Sequence, residues 1–167
     1  MDQPEAADVI DTVAGLNPAT GVGALRRQRP EILRLSQTSH RAALLPADSG
    51  NLPRRERAAL ACRMARLLKD EVLAAHYAGL LEDEGADSSA AALIDPSVTT
   101  TADVRTTAIL RHVDLLTLSP ATATRGDIEK LMVVGLTDQD IVTLTGLIAF
   151  VNYQARMVAG LRMLKGD

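Results

Sequence analysis

Apolar residues recur along this chain at three- and four-residue spacing, the signature of amphipathic helices. Residues 5–16 place Ala6, Val9, Ile10, Val13 and Ala14 on one side. Gly21 and Gly23 punctuate a connection over about 19–28. In 29–45, Pro30 suits a first turn, Glu31 complements the helix dipole, and Ile32, Leu33, Leu35, Ala42 and Leu44 supply the apolar positions. The stretch PADSGNLP (46–53) is a turn signal. A long helical region follows from Pro53 to Gly85, with a kink expected near Lys69–Asp70. Ala58, Leu60, Ala61, Met64, Ala65 and Leu68 form its first apolar face, and Arg54, Arg57, Arg63 and Arg66 fall mostly opposite.

Residues 87–102 read as a short helix and a loop, and 103–118 return to helical spacing. Thr124 with Asp127, and Thr137 with Asp140, each have the three-residue separation of a capping box and each precedes an apolar run. The first box opens a short helix ending at Gly135, and the second opens a long one over about 138–164. The only β-branched run, VTTTADV at 98–104, is too short and polar to found a sheet. The expectation is one all-α domain over 1–167, six to eight helices around a single core, with a long C-terminal helix.

Composition sharpens this picture. Of 167 residues, 47% are hydrophobic but only 2% aromatic, so the core is built from aliphatic side chains that suit closely packed helices. A formal charge of -3, with acidic and basic residues interleaved, gives little attraction for nucleic acid. The longest apolar run, IVTLTGLIAFV, is a core helix by length, so no membrane span is expected. The acidic opening does not resemble a signal peptide, and one cysteine excludes a disulfide scaffold; a cytoplasmic location is the expectation.

Candidate chemistry is sparse. Cys62 lies mid-helix in ALACRMA and reads as a small buried hydrophobe. His76, in EVLAAHYAG beside Tyr77, is the strongest acid–base candidate, with Glu56 and Glu71 as carboxylates that could assist it. Asn152 and Arg156, four apart on the last helix, share a face and imply a polar contact at an interface or a pocket wall. His40, His76 and His112 lack metal-ligand spacing; they could meet in space, but nothing in the sequence says that they do. GVG at 21–23 is no phosphate-binding loop, and neither a metal nor another cofactor is implied.

Two segments, LPRRERAALACRMARLLKDEVLAAHYAGLL (52–81) and LTLSPATATRGDIEKLMVVGLTDQDIVTLTGLIAFVNYQARMVAGLRML (116–164), resemble the carboxymuconolactone decarboxylase and alkylhydroperoxidase D-like superfamily. The similarity is to its single-domain, peroxidase-related branch and covers nearly all of 50–165. It implies an all-α fold assembled as dimers, trimers or hexamers with a partly intersubunit core. Redox members carry a Cys-x-x-Cys, a histidine four residues on, and an upstream glutamate. If His76 occupies the histidine position, the cysteines would fall at Lys69 and Val72; in the other register they fall at Asp70 and Leu73, with Tyr77 at the histidine position. Neither register contains a cysteine. The resemblance therefore implies a homologue that kept the fold and lost the dithiol centre, acting by assembly, by ligand binding, or beside a peroxidase-like partner protein. Decarboxylase-like acid–base chemistry through His76 is the alternative, and residual peroxidase or peroxiredoxin-type activity through Cys62 comes a distant third.

Overall fold

The computed structural model describes residues 8–85 and 88–166. Its elements are α1 (Val9–Ala14), α2 (Gly21–Arg27), α3 (Pro30–Leu44), α4 (Arg54–Leu67), α5 (Glu71–Asp83), α6 (Ser88–Ile94), α7 (Val104–Leu118), a 3-10 turn (Pro120–Thr122), α8 (Arg125–Val133) and α9 (Asp138–Lys165). No strand occurs among the described residues. The expected all-α architecture and long C-terminal helix are both present. Two local differences bring the described α-helices to nine, and a third moves a boundary.

The first concerns the long region from Pro53. It is two helices, not one kinked helix, because Lys69 adopts a left-handed backbone (φ 59) that ends α4. Asp70 then caps α5, its carboxylate accepting the Leu73 amide at 2.9 Å. The resulting α4–α5 hairpin is the most closely packed pair in the fold.

The second is α2, which occupies the glycine-punctuated connection. Gly23 fits there because α2 crosses the preceding turn very closely: a Cβ at this position would lie 2.1 Å from the Asn17 carbonyl oxygen. The GVG sequence thus serves packing. Gly23→Ala is expected to destabilise the protein by about 1–3 kcal/mol, as overpacking against rigid backbone does. A urea midpoint within error of the parent would show that α2 can lift away freely.

The third is the start of α1 at Val9; the part expected over 5–7 lies outside the described residues. Asp8 caps α1 by accepting the Asp11 amide, and Arg26 from α2 binds both Asp8 and Asp11.

Both capping boxes form. Asp127 accepts the Thr124 amide at 3.0 Å, and Asp140 accepts the Thr137 amide at 2.9 Å. Helix α9 then runs through the middle of the molecule, touching α1, α2, α3, α4, α7 and α8. It is long and apolar enough to cross a membrane by length and composition, and half of its most apolar window is buried in this fold.

Two arginines assigned by periodicity to the polar side of α4 are instead interior. Arg57 donates to the carbonyls of Leu52, Ala43 and Ser49, tying the 46–53 turn to the helix. Arg63 is 0% exposed. Its guanidinium binds both Asp114 carboxylate oxygens at 2.6 Å and the carbonyls of Asp95 and Val98. Carbonyls released at loops, together with one carboxylate, supply the five-donor fork with partners. Helical spacing alone does not register those tertiary partners.

Candidate functional site

The thiol is closed off. Cys62 is 0% exposed, its Sγ donates to the Ala74 carbonyl at 3.5 Å, and burial pushes its pKa up. A reactive cysteine needs the reverse: access and a thiolate favoured by a helix N-terminus or cations.

His76 and His40 meet, although 36 residues separate them in sequence. Their Nε2 atoms are 3.4 Å apart, and their rings are tilted at 48°. His40 sits on α3, buried, with its edge against Phe150. His76 is half-buried on α5 with its ring against Tyr77. Burial, the neighbouring His76 and Arg41 lower the His40 pKa to about 4, and burial lowers that of His76. Both imidazoles are therefore neutral near pH 7. One can donate to the other, which fixes complementary tautomers across the contact.

The carboxylates expected to assist His76 lie elsewhere. Glu56 binds Arg105 at 3.1 Å and, with Pro53, Ala90 and Thr101, lines a separate cavity of about 360 Å³. Burial outweighs Arg105 and raises the Glu56 pKa. Glu71 is exposed in the first turn of α5. No hydrogen bond among the described residues joins either one to His76. Tyr77 is fully buried and donates its hydroxyl to Gln154 Oε1 at 2.8 Å, locking α5 to α9. Among the described residues no group of three His, Cys, Asp or Glu side chains is placed to hold a metal ion.

Asn152 and Arg156 do share a face. Asn152 donates to the Ile148 carbonyl at 3.0 Å, and Arg156 donates to the Asn152 backbone oxygen at 2.9 Å and its Oδ1 at 3.2 Å. With Leu116, Pro120, Thr145 and Tyr153 they line an open groove of about 410 Å³. Tyr153 and Ala149 also border a second groove, about 280 Å³, walled by Ile32, Leu35 and Ser36 of α3.

Helix α3 is turned against its own pattern here. Ser36, His40 and Leu44 face the interior, while Ile32 and Leu35 are 47% and 48% exposed. Periodicity puts Ile32 and Leu35 in the core; the structure leaves them on the surface and gives the interior Ser36, bonded to the Tyr153 hydroxyl at 2.9 Å, and His40. The polar residues can turn inward because Tyr153 and His76 are there to satisfy them.

No known family model and no curated protein matches the sequence. Among solved structures, the fold matches an uncharacterized peroxidase-related protein from Silicibacter sp. TM1040, with a TM-score of 0.68. The chain shares that protein's fold. Sequence identity is 19%, and the match covers 78% of this chain and 68% of the other. At that identity the likeness concerns architecture. What this chain does must come from its own side chains.

Proposed function

We propose that this chain is a divergent, non-redox homologue of the carboxymuconolactone decarboxylase and alkylhydroperoxidase D-like proteins that works through self-assembly or small-ligand binding. The observation that carries this reading is the state of its sulfur. One cysteine is present in the whole sequence, and it is sealed in the core with its pKa raised. Dithiol peroxidase chemistry needs one accessible thiolate to attack peroxide and a second thiol to resolve the sulfenic acid. Neither is provided.

Assembly as a homo-oligomer is supported by α3. A helix that turns Ile32 and Leu35 outward, beside Phe150 and Tyr153 of α9, offers an apolar strip of the kind that proteins bury against a partner. A second copy is the occupant most in keeping with the dimers, trimers or hexamers of the resembling family. The purified chain is expected to sediment as an oligomer, and Leu35→Glu is expected to shift it to monomer while leaving its circular dichroism unchanged. In parallel, peroxide consumption with a dithiol reductant should be no faster than for Cys62→Ala. A monomeric parent would remove the assembly reading. Turnover lost in Cys62→Ala would remove the non-redox one.

A second reading rests on the His40–His76 contact. A half-buried imidazole that is neutral near pH 7 and oriented by a second imidazole is a competent proton acceptor. On this reading a lactone carboxylate leaves as CO2, and the electron pair left on carbon takes a proton that the His40–His76 pair relays from water, His76 returning to its neutral form. The discriminating measurement is carboxymuconolactone turnover, expected to fall at least a hundredfold in His76→Ala if His76 carries that proton. Absence of turnover in the parent would dismiss this alternative for that substrate.

A further inference from the structure

We propose that the cavity between α7 and α8 is a binding site for a small monocarboxylate with an apolar body, recognised by Arg111 and His112. The site is separate from the α3–α9 face and from the His40–His76 contact, so it stands whichever reading of the function holds.

His112 is the first observation. It is 4% exposed, and neither Nδ1 nor Nε2 has a hydrogen-bond partner. A buried polar group left unpaired costs about 1–3 kcal/mol, and native folds seldom keep one without a reason. Aliphatic packing would accept a phenylalanine or leucine here at no such cost.

The cavity is the second observation. His112 forms part of the wall of a space of about 670 Å³, within the usual range for small-molecule sites. Val104, Ala108, Leu115 and Val133 give it a mainly aliphatic lining.

Charge selects the ligand class. Two carboxylates border the cavity, but both are committed. Asp127 holds the Thr124 cap and binds Lys130 at 2.8 Å, and Glu129 binds Arg125 at 3.1 Å. Arg111, exposed at the rim, has no hydrogen bond or ion pair among the described residues. An uncommitted guanidinium and an uncommitted imidazole on the wall of one cavity fit a carboxylate: Arg supplies a two-pronged donor and a neutral imidazole supplies one N–H. Both His112 nitrogens are covered in the described state. Rotation about χ2, a broad torsion for imidazole, is the movement that presents one to the ligand. The apolar walls then take the hydrocarbon body.

The test uses the full-length chain, with octanoate and octan-1-ol as probes in calorimetry and imidazole ¹⁵N NMR. Three histidines make the second spectrum readable residue by residue. Octanoate is expected to bind at least tenfold more tightly than octanol and to move the His112 signals while those of His40 and His76 stay. Arg111→Gln should bring octanoate down to the level of octanol. Val133→Trp, at a highly exposed position, should block both probes without disturbing the fold. Overturning results are absence of octanoate binding at millimolar concentration, equal affinity for octanol, unmoved His112 signals, or undiminished octanoate binding in Arg111→Gln. Because the histidine shifts are read on the unmodified protein, a variant that fails to fold does not remove the test.

Discussion

Asp114→Ala is expected to destabilise the fold by about 3–5 kcal/mol, the range for stripping the partner from a buried charge. Arg63 cannot follow the lost carboxylate to solvent, since its guanidinium is fully enclosed and also bound to the Asp95 and Val98 carbonyls. The variant therefore leaves a cation in the core with two carbonyls as its only partners among the described residues. Arg63→Met combined with Asp114→Leu is expected to recover part of the loss, because a hydrophobic pair of similar volume needs no counter-charge. Recovery should stop short of the parent, since the 95–98 turn loses its anchor. Urea unfolding at pH 7 checks both statements. A loss below about 1 kcal/mol in Asp114→Ala would mean that water replaces the carboxylate.

The second large effect is on acid stability. The folded state holds His40 at a pKa of about 4, against an ordinary 6.5, chiefly because burial disfavours the imidazolium and His76 stands opposite. Above about pH 6.5 the ring is neutral in both folded and unfolded chains, so its contribution to stability is fully present. As pH falls from 6.5 toward 4, the unfolded chain takes up a proton that the folded chain refuses, and stability declines. Once pH has passed below 4 that contribution is gone. For a pKa that falls from 6.5 to about 4 the loss is on the order of 3 kcal/mol. His76, lowered by the same burial, adds to it in the same direction. The depressed carboxylate of Asp127, held mainly by Lys130 and Thr124, titrates below this window and does not obscure it. His40→Phe should flatten the pH dependence of the urea midpoint between 6.5 and 4. A slope as steep as the parent's would assign the effect to other groups.

Which features could be read from sequence depended on how local their causes are. The boxes at Thr124 and Thr137 depend on a side chain and an amide three residues apart, and both formed where the spacing put them. The break at Lys69 was visible only as a kink, because a left-handed lysine carries no residue signal such as glycine would. Helix α2 was hidden by its own glycines, one of which is there for a close crossing over Asn17. Arg57, Arg63 and the inverted face of α3 depart from the helical pattern for one shared reason. Helical periodicity sorts side chains by polarity, whereas carbonyls, a carboxylate, a tyrosine and a second histidine drew polar groups inward.

The same division runs through the site. His76 and Tyr77 stand out in the sequence from their apolar surroundings, and the Asn152–Arg156 pair from its spacing. The partner His40 and the unpaired His112 depend on elements distant in sequence. His112 faces a cavity only because α8 folds back over α7.

Arg162 donates to the Val13 carbonyl, 149 residues earlier, and the same side chain binds Asp70 in the cap of α5. Helix α1 packs against α9. During synthesis, which proceeds at about 5–20 residues per second, α1 leaves the ribosome many seconds before its docking surface exists. The α4–α5 hairpin, built from neighbouring segments, can form while the chain is still being made. Helix α1 meets α5 earlier, but it cannot complete its packing until α9 has emerged, so a nascent chain stalled before α9 leaves part of that apolar side uncovered.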